Sequence, residues 1–513
     1  IPIYVDADIL PGDSVKMRMA EIIRMQTPIF PVMDNAYMDI YFFFVPHRIV
    51  WEHWKEFWGE NNLTAWEQQV PYEIPQIEAP ANTGWTEGTI ADYMGIPTGI
   101  DDISINHLPF RAYVKCWNDW FRDENLKDPA FIQSDETTLS GSNSGSYVTN
   151  AQLGAKPLKV AKYHDYFTSA LPSPQKGESV NLPLGQLAPI IGVEPTALST
   201  SGNTLESNLL GKEIGAVRTA TAGYVYNASD GTPIIDIGKS IGLAADLSNA
   251  IGATINQLRQ AFAVQAFYEA QARGGSRYIE FIKNIFGVTS PDGRLQRAEY
   301  LGGTRVQINM DQVLQTSSTD ATSPQGNTAA FSCTVNTEED LFTHSFTEHG
   351  TLIGLACIRT DHTYQQGINR MWSRKKWTDF YVPQLANLGE VPILNKELYA
   401  QGNSVIDSDG NIVDDQVFGY QEAWADYRYM PSRVSGEMRS NFAQSLDSWH
   451  YADDYNTLPT LSSGWIDETE ENIDRTISVQ HSTANQFFGD FYFDPVYVRP
   501  MPVYSIPAML NHF

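Results

Sequence analysis

The densest run of hydrophobic positions lies between residues 27 and 60, and its periodicity changes halfway along. Residues 36–45 form a nearly continuous stretch of β-branched and aromatic side chains with prolines nearby on both sides, which predicts a buried strand. From Ile49 the apolar side chains fall on one face of a helix, and Gly59 occupies the position of a C-cap glycine. The pattern therefore predicts a buried strand followed by a short helix that carries Trp51, Trp54 and Trp58.

Further strand-like patterns recur along the chain, separated by long loops. Residues 15–25 alternate between apolar and polar side chains, 344–359 predict one long strand, and 487–504 contain three prolines, as an edge strand would. Helical spacing appears at 111–122 and again at 255–273. Many strands with few helices predict a mainly β protein, an antiparallel β-sandwich with elaborate loops.

Residues 186–240 differ in composition from the sequence around them. They are low in charge, rich in small and β-branched residues, and contain no tryptophan. We interpret them as an inserted surface lobe, which divides the chain into 1–185 (first part of the core), 186–240 (lobe) and 241–513 (rest of the core and a C-terminal arm). An ordinary long β-loop is the alternative, although such lengths within a compact domain are usually functional or disordered.

Charge and composition narrow the possible functions. A chain of 513 residues with 42% hydrophobic residues can bury a large core, but its formal net charge of −27 repels nucleic acid and anionic membranes. If it surrounds a genome, cations or a basic partner must offset that charge. The three cysteines fit neither a disulfide framework nor a metal site, which indicates reduced thiols. Because no apolar run reaches the ~18–20 residues of a membrane span, we expect no membrane insertion.

Motifs for catalysis are mostly absent from the sequence. His344, Glu348 and His349 lack the HExxH spacing of a zinc peptidase, and no phosphate-binding glycine loop is present. We therefore predict no catalytic residue, no cofactor and no metal site. Because 61 carboxylates make chance acid pairs unavoidable, an acidic β-rich carbohydrate-binding protein or glycosidase stays open as the alternative.

One basic and aromatic cluster contrasts with the acidic background, RMWSRKKW at residues 370–377. Cations interleaved with aromatic rings can follow a phosphate backbone and stack on bases. Arg370, Arg374, Lys375 and Lys376 are thus candidates for a DNA-facing surface. The alternative is that these cations pair with acids at subunit contacts.

Several long blocks resemble the major capsid protein of microviruses, the small bacteriophages with circular single-stranded DNA, and of their gokushovirus branch in particular. Besides residues 27–60, they include YHDYFTSALPSPQKG at 163–177, FGVTSPDGRLQRAEYLGG at 286–303 and INRMWSRKKWTDFYVP at 368–383. These blocks run in the family's order and span essentially the whole chain.

The resemblance implies a viral jelly roll of eight antiparallel strands with large loop insertions. It implies a structural protein, not an enzyme, that assembles in the host bacterial cytoplasm into a T=1 icosahedral virion of sixty copies around circular single-stranded DNA. A small basic DNA-packaging protein is the implied partner, and the inserted lobe is implied to form threefold protrusions that meet a host cell-surface receptor.

If the chain is a capsid subunit, roles are expected for two further sets of residues. Core or subunit packing is expected of Trp51, Trp54, Trp58, Tyr163 and Phe167. Threefold contacts of the lobe are expected of Ile190, Val193, Val225 and Ile234.

Overall fold

The computed structural model describes most of the chain outside the lobe and short stretches within it. The described residues are 1–60, 72–177, 190–193, 224–226, 233–236, 242–245, 255–275, 277–309, 311–317, 325–332 and 334–501. In chain order the strands are β1 Pro2–Ile9, β2 Ser14–Met25, β3 Ala36–Pro46, β4 Gln76–Glu78, β5 Ser104–Asn106, β6 Leu139–Ser140, β7 Ile190–Val193, β8 Tyr224–Tyr226, β9 Pro233–Asp236, β10 Gly242–Ala245, β11 Glu299–Ile308, β12 Asp311–Leu314, β13 Thr328–Ser332, β14 Thr334–Ser345, β15 Gly350–Thr360, β16 Glu390–Leu394, β17 Val417–Glu422 and β18 Phe487–Val498.

The α-helices are mostly single turns between these strands. They are α1 Trp54–Phe57, α2 Ile90–Tyr93, α3 Leu108–Cys116, α4 Tyr147–Asn150, α5 Ile255–Gly274, α6 Tyr278–Phe281, α7 Asn395–Leu398, α8 Ser463–Ile466 and α9 Glu471–Asp474. Two of them continue into a π-helical turn, α3 into Trp117–Phe121 and α6 into Ile282–Phe286. Over the described residues, no helix is both long enough and apolar enough to cross a bilayer.

Two antiparallel sheets form the centre of the fold. One has the strand order β1-β15-β3-β11 and the other the order β14-β2-β18. The two sheets share one hydrophobic core, in which Tyr4 and Phe493 pack with ring centroids 5.0 Å apart and Phe42 and Phe342 with centroids 5.5 Å apart. The predicted mainly β fold built from antiparallel sheets is thus confirmed.

β2 and β3 illustrate how burial follows the sequence pattern. β2 buries alternate residues from Val15 to Met25, because only one face of its sheet contacts the core. β3 is buried on both faces, since Phe42 and Phe44 point into the sandwich while Phe43 and Val45 point into a second core. A strand covered on both sides needs a continuous apolar run, which residues 36–45 provide.

The second core lies on the outer face of the four-stranded sheet. There Phe43 and Ile353 meet helix α3 and the buried indoles of Trp51, Trp85 and Trp117. A third, smaller core lies around Phe167, Phe418 and Trp465. These two cores bury the segments that connect the sandwich strands.

By its contacts the chain divides into two compact units. One comprises residues 1–176 with 269–513 and contains both sheets of the sandwich. The other comprises residues 177–268, in which β7 pairs with β10 and β8 with β9, each antiparallel. Most of the lobe 186–240 lies outside the described residues, so the boundaries given from the sequence stay predictions.

Two sequence-based predictions of local structure are wrong. Residues 344–359 are not one strand, because β14 ends at Ser345 and β15 begins at Gly350 in the other sheet. Gly350 marks the change, since a Cβ there would lie 2.5 Å from the ring of Phe44. The helix predicted from Ile49 begins only at Trp54, because the carbonyl of Val50 accepts from Arg111 and the N–H of Glu52 donates to Ser134.

Other local predictions are confirmed. Gly59 has the positive φ of a C-cap glycine, at 99°. The helix predicted at 111–122 is present as α3 and the π-turn that follows it, which ends at Phe121. β18 pairs with β2 and stands at the edge of its sheet within the described residues, the position in which a strand tolerates a proline such as Pro495.

Candidate nucleic-acid interface

The basic cluster is a loop of two 3-10 turns, Arg370–Ser373 and Trp377–Asp379, and Arg374 lies between them. The Arg374 guanidinium pairs with the Asp426 carboxylate, and its Nε donates to the carbonyl of Asp379 at 2.9 Å. It lies 4.3 Å from the ring centroid of Tyr427, a distance suited to cation–π attraction. Only 12% of the Arg374 side chain is exposed, so this cation anchors the loop.

Arg370 is also directed toward the protein. Its Nη2 donates to the carbonyl of Pro392 at 2.9 Å, and its Nε lies 4.0 Å from the carboxylate of Glu397. Burial acts to lower the pKa of Arg370, but the charge of Glu397 together with the contributions of Tyr166 and Asp426 outweighs burial and raises the pKa. Arg370 is therefore a half-buried, paired cation at the base of the loop.

Lys375 and Lys376 are arranged differently, because both side chains are exposed. Their backbone N–H groups each donate to Oδ2 of Asp379 at 2.8 Å. These hydrogen bonds lower the pKa of Asp379 and fix the turn that carries the two lysines. Of the four predicted DNA-facing cations, the structure thus presents two to solvent.

Two aromatic side chains of the loop are also highly exposed. Trp372 is 74% exposed and Trp377 73% exposed, although both belong to a loop that polar contacts hold in place. Behind the loop, a cavity of about 270 Å³ is lined by Arg370, Arg374 and Trp424 among others. The sequence alone offers no sign of Asp426 and Tyr427, which hold Arg374 from 52 and 53 positions away.

The residues predicted to pack in the core or between subunits differ in how deeply they are buried. Trp51 is fully buried and Phe167 is 4% exposed, whereas Trp54 is half-buried. Trp58 is 60% exposed and stacks on His349, with ring centroids 4.7 Å apart. Buried and exposed members therefore occur within one group of tryptophans.

Tyr163 belongs to a charged cluster on the four-stranded sheet that sequence reasoning missed. Asp39 in β3 is 1% exposed and accepts from Tyr163 at 2.6 Å, from Arg305 at 2.7 Å and from Arg359. Burial would raise the pKa of Asp39, but these hydrogen bonds outweigh it and lower the pKa. An aspartate inside a continuous apolar strand was the available signal, because a buried carboxylate requires partners.

The lobe residues fall in the short strands of the second unit. Ile190 and Val193 lie in β7, Val225 in β8 and Ile234 in β9. The threefold role assigned to them stays a prediction.

His362 has the only histidine geometry in the described chain that suggests catalysis at first sight, since both ring nitrogens meet carboxylates. Nδ1 lies 3.1 Å from Asp453 and Nε2 lies 2.9 Å from Glu468. The side chain is 3% exposed, however, and so closed to a substrate. Among the described residues, no group of histidine, cysteine and acidic side chains fits a metal ion. We therefore interpret His362 as structural.

This buried cluster predicts a pH dependence of stability. Burial acts to lower the pKa of His362, but the two carboxylates outweigh it and raise the pKa to about 10. Because the folded pKa exceeds the unfolded value of about 6.5, the stabilisation is complete below pH ~6.5 and is lost as the pH rises through 10. The difference in melting temperature between the wild type and His362→Gln should therefore shrink across this interval. His164→Gln, at a side chain 67% exposed, is the control. A difference that stays constant with pH would contradict the assignment.

Comparison with known proteins gives matches over the whole chain. A sequence model of the family described as "Capsid protein (F protein)" matches residues 1–509. The chain is 43% identical to Capsid protein VP1 of Spiroplasma virus 4, covering 99% of this chain and 92% of the relative. It is 42% identical to Capsid protein VP1 of Bdellovibrio phage phiMH2K, covering 100% and 92%, and 38% identical to that of Chlamydia phage 1, covering 99% and 92%.

Proposed function

The chain belongs to the phage capsid protein (F protein) family, and on that premise we propose that sixty copies assemble into a T=1 icosahedral shell around a circular single-stranded DNA genome. As a member of the family it is a structural capsid protein of the virion and not an enzyme. The observation that carries the proposal is the match over residues 1–509, which includes the sandwich strands and the basic loop. The glycosidase alternative has no comparable support.

The fold fits such a shell if the sandwich is an eight-stranded jelly roll. Support comes from the two facing antiparallel sheets, which contribute four and three strands within the described residues. The closed sandwich provides a rigid shape, and long loops and terminal segments provide area for contacts between copies. Trp58, exposed beside His349, is a candidate for such a contact.

The inserted lobe is proposed to form the threefold protrusions and to meet a host cell-surface receptor. It is low in charge, and its described strands are short pairs separate from the sandwich sheets. Ile190, Val193, Val225 and Ile234 are the candidates for threefold contacts.

The charge of the chain calls for a basic partner. At −27 per copy, a shell of this protein alone would repel the phosphates it encloses. A small basic DNA-packaging protein would offset the negative charge of the capsid chain and that of the DNA phosphates, and we propose it as the partner.

Electron microscopy of the purified full chain, with and without single-stranded DNA, tests the proposal. We expect closed particles of uniform size whose mass corresponds to sixty copies. A chain that stays monomeric under all conditions, including with DNA and a basic partner, would overturn it.

A further inference from the structure

We propose that residues 369–381 form a binding site for single-stranded DNA, in which bases stack on Trp372 and Trp377 while phosphates contact Lys375 and Lys376. The inference rests on the capsid function proposed above and adds the contact residues and the form of the ligand. It also divides the basic cluster into two anchoring arginines and two lysines that bind.

The two indoles are suited to stacking because they are exposed and held in place. Trp372 and Trp377 are 74% and 73% exposed. Each belongs to a 3-10 turn whose start is fixed by a side chain, since Asn369 accepts from the N–H of Met371 and Asp379 accepts from the N–H groups of both lysines. Aromatic faces presented in this way bind unpaired bases without regard to sequence.

The local charge favours phosphate although the chain as a whole is acidic. Arg374 is neutralised by Asp426, and Arg370 is paired with Glu397. The ammonium groups of Lys375 and Lys376 remain, near two carboxylates: Asp379, which accepts from backbone N–H groups, and Asp415, which is paired with Lys396 at 2.6 Å. The side chains that reach solvent here are thus mainly cationic.

This arrangement fits a DNA strand better than a second copy of the chain. The cores of protein–protein interfaces are depleted in lysine, whereas here two exposed lysines lie between the two tryptophans. It also fits single-stranded better than duplex DNA, because stacked base pairs do not offer their faces to a side chain.

Fluorescence anisotropy of a labelled twenty-nucleotide oligo-dT, titrated with the full chain at low salt, tests the inference. We expect Trp372→Ala/Trp377→Ala to bind at least about tenfold more weakly, and the double Phe variant to retain most of the affinity. Lys375→Gln/Lys376→Gln should lower the dependence of log affinity on log salt concentration by up to about two. Trp58→Ala, at a tryptophan 60% exposed, and Lys55→Ala, at an exposed lysine, are the controls and should bind as the wild type does.

Particle formation by the same variants is measured separately by electron microscopy. Wild-type chain that forms no shells counts against the proposed function, whatever the oligonucleotide titration gives. The DNA site is overturned if the tryptophan variant binds oligo-dT within twofold of wild type, or if duplex of equal length competes as well as single strand. It is also overturned if that variant loses assembly while its oligonucleotide binding is unchanged, because the tryptophans would then form a subunit contact.

Discussion

An Asp39→Ala variant is expected to lose about 3–5 kcal/mol of folding stability and to yield no shells. Asp39 accepts hydrogen bonds from three side chains. They are Arg305 in β11, Arg359 in β15 and Tyr163 in a connecting segment. Its removal leaves the Arg359 guanidinium, whose side chain is 12% exposed, without its carboxylate. The penalty arises from an uncompensated buried charge more than from the lost attraction.

The same cluster contains a matched control. Arg305 also binds Asp39, at 2.7 Å, but its side chain is 51% exposed and returns to water when the pair is broken. We expect Arg305→Gln to lower the melting temperature much less than Arg359→Gln does. Thermal unfolding of the unassembled chains measures both. Equal losses at the two arginines would mean that burial does not set the cost.

A Trp51→Ala variant should lose a similar amount, about 3–5 kcal/mol, for a different reason. The indole is fully buried between the four-stranded sheet and the segments around α3, so that truncation leaves a cavity. It also removes the donor that Nε1 supplies to Oε1 of Glu136 at 3.0 Å. We expect insoluble protein, or an early urea unfolding midpoint where soluble protein is recovered.

Trp58→Ala provides the comparison within the same short segment. At 60% exposure, its indole adds little to the fold of one copy, so the urea midpoint should stay close to that of the wild type. If Trp58 packs against a neighbouring copy, this variant instead forms fewer or less stable particles. A Trp58→Ala chain as unstable as Trp51→Ala would refute the distinction between the two sites.

Sequence analysis located best those strands in which the spacing of apolar residues directly reflects which faces are buried. β2 alternates because one face is covered, and β3 is continuously apolar because both faces are covered. The pattern at 344–359 was misleading because its first two residues end β14, whereas its apolar residues from Gly350 onward belong to β15 in the other sheet. Only their pairing distinguishes the two strands, because β14 pairs with β2 and β15 pairs with β3.

In the basic loop, too, the sequence identified the residues but not which of them are paired with acids. The sequence identified four cations among tryptophans, but it could not distinguish Arg370 and Arg374 from the two lysines. Their roles depend on Glu397 and Asp426, whose positions follow from the packing of α7 and of the turn after β17. A sequence pattern within the loop cannot indicate partners that lie so far away along the chain.

By itself, then, the sequence determined the mainly β class, the doubly buried strand, the unusual composition of residues 186–240 and the family to which the blocks belong. These features are local or repeated, and burial periodicity or block order is enough to reveal them. Tertiary structure decided which charges are neutralised and which indoles stay in water. Asp39 meets its partners across 124, 266 and 320 positions of chain, and contacts of that range exist only once the sheets have formed.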